Sequence, residues 1–582
     1  MTGEERADSY LEMAWRVQEE GIPLQGGLAV GYEQADSIWT VLVRTAGDLE
    51  NWRRRGLEIT ELYGGYGVLR LPVSEEEWVL AQPQLVYMEK PHRMNPGTEV
   101  RPLQDCAYQG RRASCLAGVQ EGADALTGAG VLVAILDTGI DVEHLDFQRE
   151  DGSSRILWYW DQEGEGVPPE GFGRGAEYTA ADIEAGAVPG IRNGQGHGTG
   201  VLGVAAGNGR ASGGRDRGVA YGSDILAVNL ATAEEGGFPR TTELMEAAEY
   251  VLRRAEQLNR PVAVNISLGN NYGSHEGDTL LEMYLSERQS AWKSVFVIGS
   301  GNEGESEGHA GGSFAPFAAG TDSMQEVELA VAEGEKSLSV QLWKSAADDL
   351  AVELTAPDGR TLGRLERAGE YHSWQWGETR VLAYAGGAAP YRLSQDFLWE
   401  WLPTGKDGTI TPGIWRFRLL PRRIVQGRYD LYLPGSEVRG TATRFLRPEP
   451  DTTLTIPSAA AAPVAVGAWN PALRQPTSFS GRGYTRLTER VKPFRPARGV
   501  DITAAAPGGG YRSWTGTSFA APFVTGAAAL LMEWGIIRGN DPFCYGENLK
   551  ARLIRGAASL PGHTVPNRQI GWGTLCLEAS LR

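Results

Sequence analysis

The rhythm of apolar and polar positions changes several times along the chain. Up to about residue 95, Trp39-Thr40-Val41-Leu42-Val43-Arg44 and Tyr66-Gly67-Val68-Leu69-Arg70-Leu71 alternate with period two and predict strands. Ser74-Glu75-Glu76-Glu77 has capping-box spacing and opens a short helix, and Leu85-Val86-Tyr87-Met88-Glu89 is a last strand. This is a small α+β unit over 1–95. Lys90 to Arg112, rich in Pro, Gly and Arg, reads as a linker. From Val131 the pattern becomes continuous apolar strands alternating with helices, as in a parallel sheet covered on both faces. Val131 to Leu136, Ile225 to Val228, Val262 to Ile266 and Val295 to Ile298 are the strands, and Leu244, Ala248, Val251, Ala255 and Leu258 mark one helix face. Between 311 and 450 period two returns, in Leu338 to Trp343, Leu350 to Leu354 and Tyr429 to Leu433, which predicts an all-β insert. Its Trp374/Trp376 and Trp399/Trp401 pairs are read as sandwich core, not as a ligand platform. At Pro463-Val464-Ala465-Val466 the α/β pattern resumes. The units are therefore 1–95, 96–310, 311–450 and 451–582.

Composition narrows the partners. Lys and Arg number 55 against 73 Asp and Glu, a net charge of −18, which disfavours nucleic acid and anionic membranes. No apolar run approaches the ~20 residues that span a bilayer. The N-terminus Met1-Thr2-Gly3-Glu4-Glu5-Arg6 lacks a signal-peptide apolar core, so synthesis in the cytoplasm is expected. Cys106, Cys115, Cys544 and Cys576 show no CxxC spacing and are read as free thiols.

The candidate chemistry centres on Gly516-Thr517-Ser518-Phe519-Ala520-Ala521-Pro522, a serine just ahead of the apolar run Phe523 to Met532. A hydroxyl at a helix N-terminus lies among unpaired backbone donors, which suits a nucleophile that passes through an oxyanion. Pro522 fits the first turn of such a helix. A serine nucleophile needs a base, and the base an acid that fixes its tautomer. His197, in Gly196-His197-Gly198-Thr199-Gly200, is the base candidate, and its flanking glycines leave room for a substrate backbone. Asp137, in Asp137-Thr138-Gly139 at a strand end, is the acid. An aspartic-protease reading fails because no second Asp-Thr/Ser-Gly occurs. Gly304-Glu305-Ser306-Glu307-Gly308 fits a GxSxG elbow, but that elbow passes from strand directly into helix, and Ser306 does neither.

Asp137, His197 and Ser518, in that order, resemble the subtilisin-like serine peptidases. Asp137-Thr138-Gly139-Ile140-Asp141, Gly196 to Thr199 and Gly516 to Pro522 are similar to the three signature blocks of that family, and Ser300-Gly301-Asn302-Glu303-Gly304 to its oxyanion block. The resemblance, over 120–310 and 451–582, implies an α/β subtilisin-like parallel sheet flanked by helices and a serine endopeptidase. It assigns Asp137, His197 and Ser518 to catalysis and Asn302 to the oxyanion. It assigns Ser267, Leu268 and Gly269 to the substrate strand, and Gly299, Ser300 and Gly301 to the first specificity pocket. The layout more closely resembles the clostridial spore-germination proteases, which implies an N-terminal α+β prodomain, a jelly-roll-like insert and a spore-associated location. Gly571 to Cys576 and Tyr545-Gly546-Glu547 look like the same group. Expected partners are a protein or peptide substrate and the chain's own prodomain, with no cofactor and no metal. Asp146 resembles a calcium ligand of secreted members and is read as a structural hydrogen-bond acceptor. Self-cleavage is expected between Met88 and Ser114. The alternative is a non-catalytic subtilase-fold regulator held closed by its prodomain.

Overall fold

The structure is a computed structural model that describes residues 6–96, 99–101, 125–191, 196–232, 237–387, 389–440, 442–560 and 562–581. At its centre is a nine-stranded sheet in the order Gln475–Pro476, Val464–Asn470, Ser294–Gly299, Val262–Ile266, Leu132–Asp137, Asp224–Asn229, Ile156–Asp161 and Ala176–Thr179, with Arg495–Arg498 also paired to Val464–Asn470. The five strands from Val464–Asn470 to Asp224–Asn229 are mutually parallel. Leu132–Asp137 shows why its sequence is apolar throughout. Val133 and Ile135 face a core shared with the helices His197–Ala206 and Thr517–Met532, while Leu132, Ala134 and Leu136 face one shared with Thr241–Gln257 and Leu280–Ser290. A strand covered on both faces has no polar side to present.

Thr517–Met532 is buried at every position and passes into a π-helical turn, Glu533–Ile537. Within the combined 21 residues an 18-residue window reaches a mean hydropathy of 1.5, long and apolar enough to cross a membrane by length and composition. The sequence reading found no such run, because Glu533 interrupts it. Of that window 83% is buried inside the protein, so its apolarity is that of a central core helix.

The N-terminal unit is a five-stranded antiparallel sheet with the helix Ser9–Glu19, whose first turn is capped by Asp8 through Leu11 N–H at 3.1 Å. One face of this sheet contributes Leu42, Tyr66, Val68 and Tyr87 to the core around Thr241–Gln257 and Leu280–Ser290. Its other face, with Leu11, Trp39, Val41 and Val43, packs with Leu382, Tyr384, Leu398 and Leu402 of the insert.

The insert is two antiparallel sheets of six and five strands, running from His309–Ser313 to Arg444–Phe445. They close on one apolar core that holds Trp399, Trp401 and Trp415, with Trp374 and Trp376 packed against it. The four tryptophans singled out in the sequence therefore pack within the sandwich. Cys544 and Cys576 are free thiols, and Cys106 and Cys115 lie outside the described residues.

Candidate active site

Asp137 is the last residue of its strand and fully buried. Its turn is pinned by Asn229, at the end of the neighbouring strand, whose Oδ1 accepts from Gly139 N–H at 2.9 Å. Asp137 Oδ1 accepts from Thr138 N–H and lies 2.7 Å from His197 Nδ1. With Nδ1 facing a carboxylate, the imidazole carries its proton there and leaves Nε2 as the acceptor.

His197 is the first residue of its helix, and Phe519 meets the ring edge-on at 5.4 Å. The flanking glycines have a tighter reason than room for substrate. Gly196 has φ 63°, and a Cβ there would stand 2.3 Å from Pro507 Cγ. A Cβ on Gly198 would stand 2.8 Å from the Thr138 carbonyl and 3.1 Å from Asp137 Cβ. Glycine lets the helix start press against the strand that carries the acid.

Ser518 is the second residue of Thr517–Met532, within the first turn, where backbone N–H groups have no intrahelical acceptor. Its single hydroxyl proton has two acceptors, the carbonyls of Pro96 at 2.6 Å and Ser267 at 3.1 Å. Ser267 Oγ in turn donates to the Ser518 carbonyl at 2.9 Å. Behind this lies a buried relay, Thr525 Oγ1 to Asn265 Oδ1 at 2.9 Å and Asn265 Nδ2 to Ser267 Oγ at 2.9 Å. It ties the helix to the strand end beside it. The sequence reading passed over Asn265 and Thr525, although a lone amide in Val262-Ala263-Val264-Asn265-Ile266 was the available signal.

Asn302 Oδ1 accepts from both Thr517 N–H and Thr517 Oγ1 at 3.0 Å. A backbone N–H can only donate, so this fixes the amide orientation and leaves Nδ2 as a donor toward the cleft. Gly299, Gly301 and Asn302 line the cleft pocket together with Ser267, Leu268, Gly269, Thr517 and Ser518. Ser300 is fully buried, and its Oγ lies 3.4 Å from Ser480 Oγ. Ser306 donates to the Glu303 carbonyl at 3.1 Å in a loop, followed by the strand His309–Ser313 where a GxSxG elbow would have a helix. Asp146 accepts from Ala211 N–H and Tyr511 Oη, both at 3.0 Å, as a structural acceptor does. Among the described residues no group of three or more His, Cys, Asp or Glu is placed to hold a metal ion.

The chain itself crosses this cleft. Met94 N–H donates to the Pro239 carbonyl at 2.7 Å, and Asn95 exchanges both main-chain bonds with Gly269, at 2.7 and 2.9 Å. Beyond Pro96, the strand Glu99–Arg101 pairs antiparallel with Tyr511–Thr515. The first part of the linker thus crosses the cleft, bridged at Arg93 to Arg240 and at Asn95 to Gly269, with the Ser518 hydroxyl on the Pro96 carbonyl.

Comparison with known proteins agrees in layout. A model of the subtilase family matches residues 128–335 and 446–573, and one of the Csp protease B prodomain matches residues 5–92. The Clostridium perfringens CspB protease structure superposes with a TM-score of 0.74 at 34% identity, covering 81% of this chain and 97% of that one. The minor extracellular protease Vpr of Bacillus subtilis is 26% identical over 478 residues, 77% of this chain. The alignment takes in 51% of Vpr, so the chain spans about half the length of that curated relative.

Proposed function

Because the chain belongs to the subtilase family, we propose that it is a serine endopeptidase that cleaves protein substrates through an acyl-enzyme. Ser518 attacks the scissile carbonyl, and His197 takes its proton at Nε2 and later delivers it to the leaving amine. Asp137 holds the imidazole in that tautomer and stabilises the imidazolium. Asn302 Nδ2 and the Ser518 backbone N–H stabilise the oxyanion. Substrate pairs as a strand with Ser267-Leu268-Gly269, through main-chain bonds that do not depend on its sequence. The N-terminal unit is the prodomain, and the insert is a jelly-roll-like sandwich. Support for the latter is that Gly413–Arg423 lies between Gln325–Val331 and Asp349–Thr355 in one sheet, while Leu338–Ser345 pairs with Ser394–Pro403 in the other.

The observations that carry the reading are the Ser518 hydroxyl on the main-chain carbonyl of Pro96 in the cleft, and the buried Asp137–His197 pair, whose imidazole meets Phe519, the residue after Ser518. The test is labelling by a fluorophosphonate, which requires an assembled triad. Wild type is expected to be labelled at Ser518 and Ser518→Ala not at all. Labelling that survives Ser518→Ala, or a folded wild type that is never labelled, would refute the assignment, the second in favour of a non-catalytic regulator.

A further inference from the structure

The cleft holds a charge arrangement that the acyl-transfer chemistry does not use. Gly435 lies in the loop that follows the insert strand Arg428–Tyr432, and three side chains converge on it. A Cβ placed on Gly435 would stand 3.0 Å from Glu437 Oε2, 3.4 Å from Asn95 Nδ2 and 3.6 Å from Glu303 Oε1. All four residues line the same pocket as Gly301, Asn302 and Ser518.

Neither the carboxylates nor the amide are well served. Glu303 is 4% exposed; its Oε1 accepts from Ser436 N–H at 3.1 Å and Ser436 Oγ at 3.0 Å, while Oε2 is buried with no partner. Asn95, 8% exposed, has its Oδ1 buried and unpartnered as well. Glu437 stands on the rim and is exposed as a residue. Burial of its carboxyl end, and then the charge of Glu303, raise its pKa to about 7. Arg439 supplies the nearby positive charge, but its three nitrogens go to the carbonyls of Pro434, Thr443 and Ser306. It therefore acts on the carboxylates through space without hydrogen-bonding to Glu303 or Glu437, and Glu303 Oε2 is left without a donor.

We propose that this pocket selects a lysine or arginine side chain of the protein substrate, held between Glu303 and Glu437 at the position that Asn95 fills in the linker strand. The proposal rests on the peptidase reading and names the substrate class of the same cleft. A cation places positive charge between the two carboxyl groups, favours the ionised form of Glu437, and gives Glu303 Oε2 the donor it lacks, in a charge-assisted hydrogen bond. A neutral side chain of equal length would displace water and leave that oxygen desolvated and unpaired, so discrimination comes from the penalty as well as from the attraction. Asn95 is a weak resident by the same logic, bringing a neutral donor together with an acceptor that finds no partner. A resident of low affinity suits a segment that must leave the cleft. Glu437 comes from the insert, which gives the sandwich a part in substrate choice although it supplies no catalytic group.

The test uses the full-length chain with Ser518→Ala, which cannot cut itself. Asn95→Lys and Asn95→Met place a cation or a neutral chain of similar length at the pocket, each measured alone and with Glu437→Gln or Glu303→Gln. The expected result is that Asn95→Lys melts about 2 °C or more above Asn95→Met. The gap should close in Glu437→Gln, whose rim position makes a folding failure improbable. Equal melting of the Lys and Met chains, or a gap undiminished by both glutamine substitutions, would overturn the proposal. Because none of these chains is catalytic, this outcome is independent of the fluorophosphonate experiment, which tests the peptidase reading by itself.

Discussion

The hydroxyl of Ser518 donates to the carbonyl of Pro96 across 2.6 Å, so the nucleophile of the proposed reaction touches a residue 422 positions earlier in the same chain. Pairing of Asn95 with Gly269 on one side and of Glu99–Arg101 with Tyr511–Thr515 on the other holds that segment in place. An intramolecular segment held so reacts without the entropic cost of bringing two molecules together.

Self-cleavage is therefore expected close to Pro96, well inside the Met88 to Ser114 window that the sequence alone allowed. Wild type should yield a product whose N-terminus lies within residues 97–99, and Ser518→Ala should remain full-length. Intact-mass and N-terminal mass spectrometry read both. A cut at the same bond in Ser518→Ala would assign it to another protease.

Asn302→Ala should lower kcat by about 10²–10³ with KM little changed, a magnitude taken over from the oxyanion asparagine of subtilisin itself. A rise in KM at constant kcat would mean that Asn302 contributes uniform binding and no oxyanion stabilisation.

Thr525→Val removes the donor to Asn265 Oδ1 and leaves that buried acceptor unpaired. The expected cost is about 1–3 kcal/mol of stability, read from a shifted denaturation midpoint. Since the relay ends at Ser267, which bonds to Ser518, kcat should fall more than KM changes. A variant as stable and as active as wild type would show that the relay positions nothing.

Glu89 gives a pH dependence with a definite sign. Burial raises its carboxyl from the usual 4.5 to about 8, opposed by Arg392 at 3.3 Å and by Leu280 N–H, and reinforced by Asp8 and Asp278. The folded state keeps a proton that the unfolded chain releases. The stability from this group is complete below about pH 4.5 and is lost as pH rises through about 8. Lys90, lowered to about 7 by burial, acts in the opposite sense, so the measurement is the difference between wild type and Glu89→Gln. Wild type should lose melting temperature relative to Glu89→Gln between about pH 5 and 8. Parallel curves across that range would remove Glu89 as the source.

The sequence made the proposed acid, base and nucleophile legible because each sits in a glycine-rich block at the end of an apolar element. Glycine is needed there for contacts that no side chain permits, such as Gly198 against Thr138 and Asp137. The switch to period two marked the insert for a similar reason, since a sandwich exposes one face of each strand. What the sequence did not carry was anything created by docking. Glu437 lies 134 positions after Glu303, in a loop with no motif, and meets it only because the insert folds back over the cleft. The Pro, Gly and Arg content of Lys90 to Arg112 reads only as a linker, whereas Lys90 and Met94 are buried and Asn95 is β-bridged. Main-chain pairing of that kind leaves no trace in composition.

The N-terminal unit is gripped on two sides, by the helices Thr241–Gln257 and Leu280–Ser290 and by the outer face of the sandwich. Cutting the chain near Pro96 severs a covalent tie but opens neither apolar face. For the severed unit to depart, both faces must let go together, because a side that opens alone is returned by the one still engaged. Bond scission and release are thus separate events with separate rates. The interval between them is a property of the insert's grip as much as of the catalytic residues.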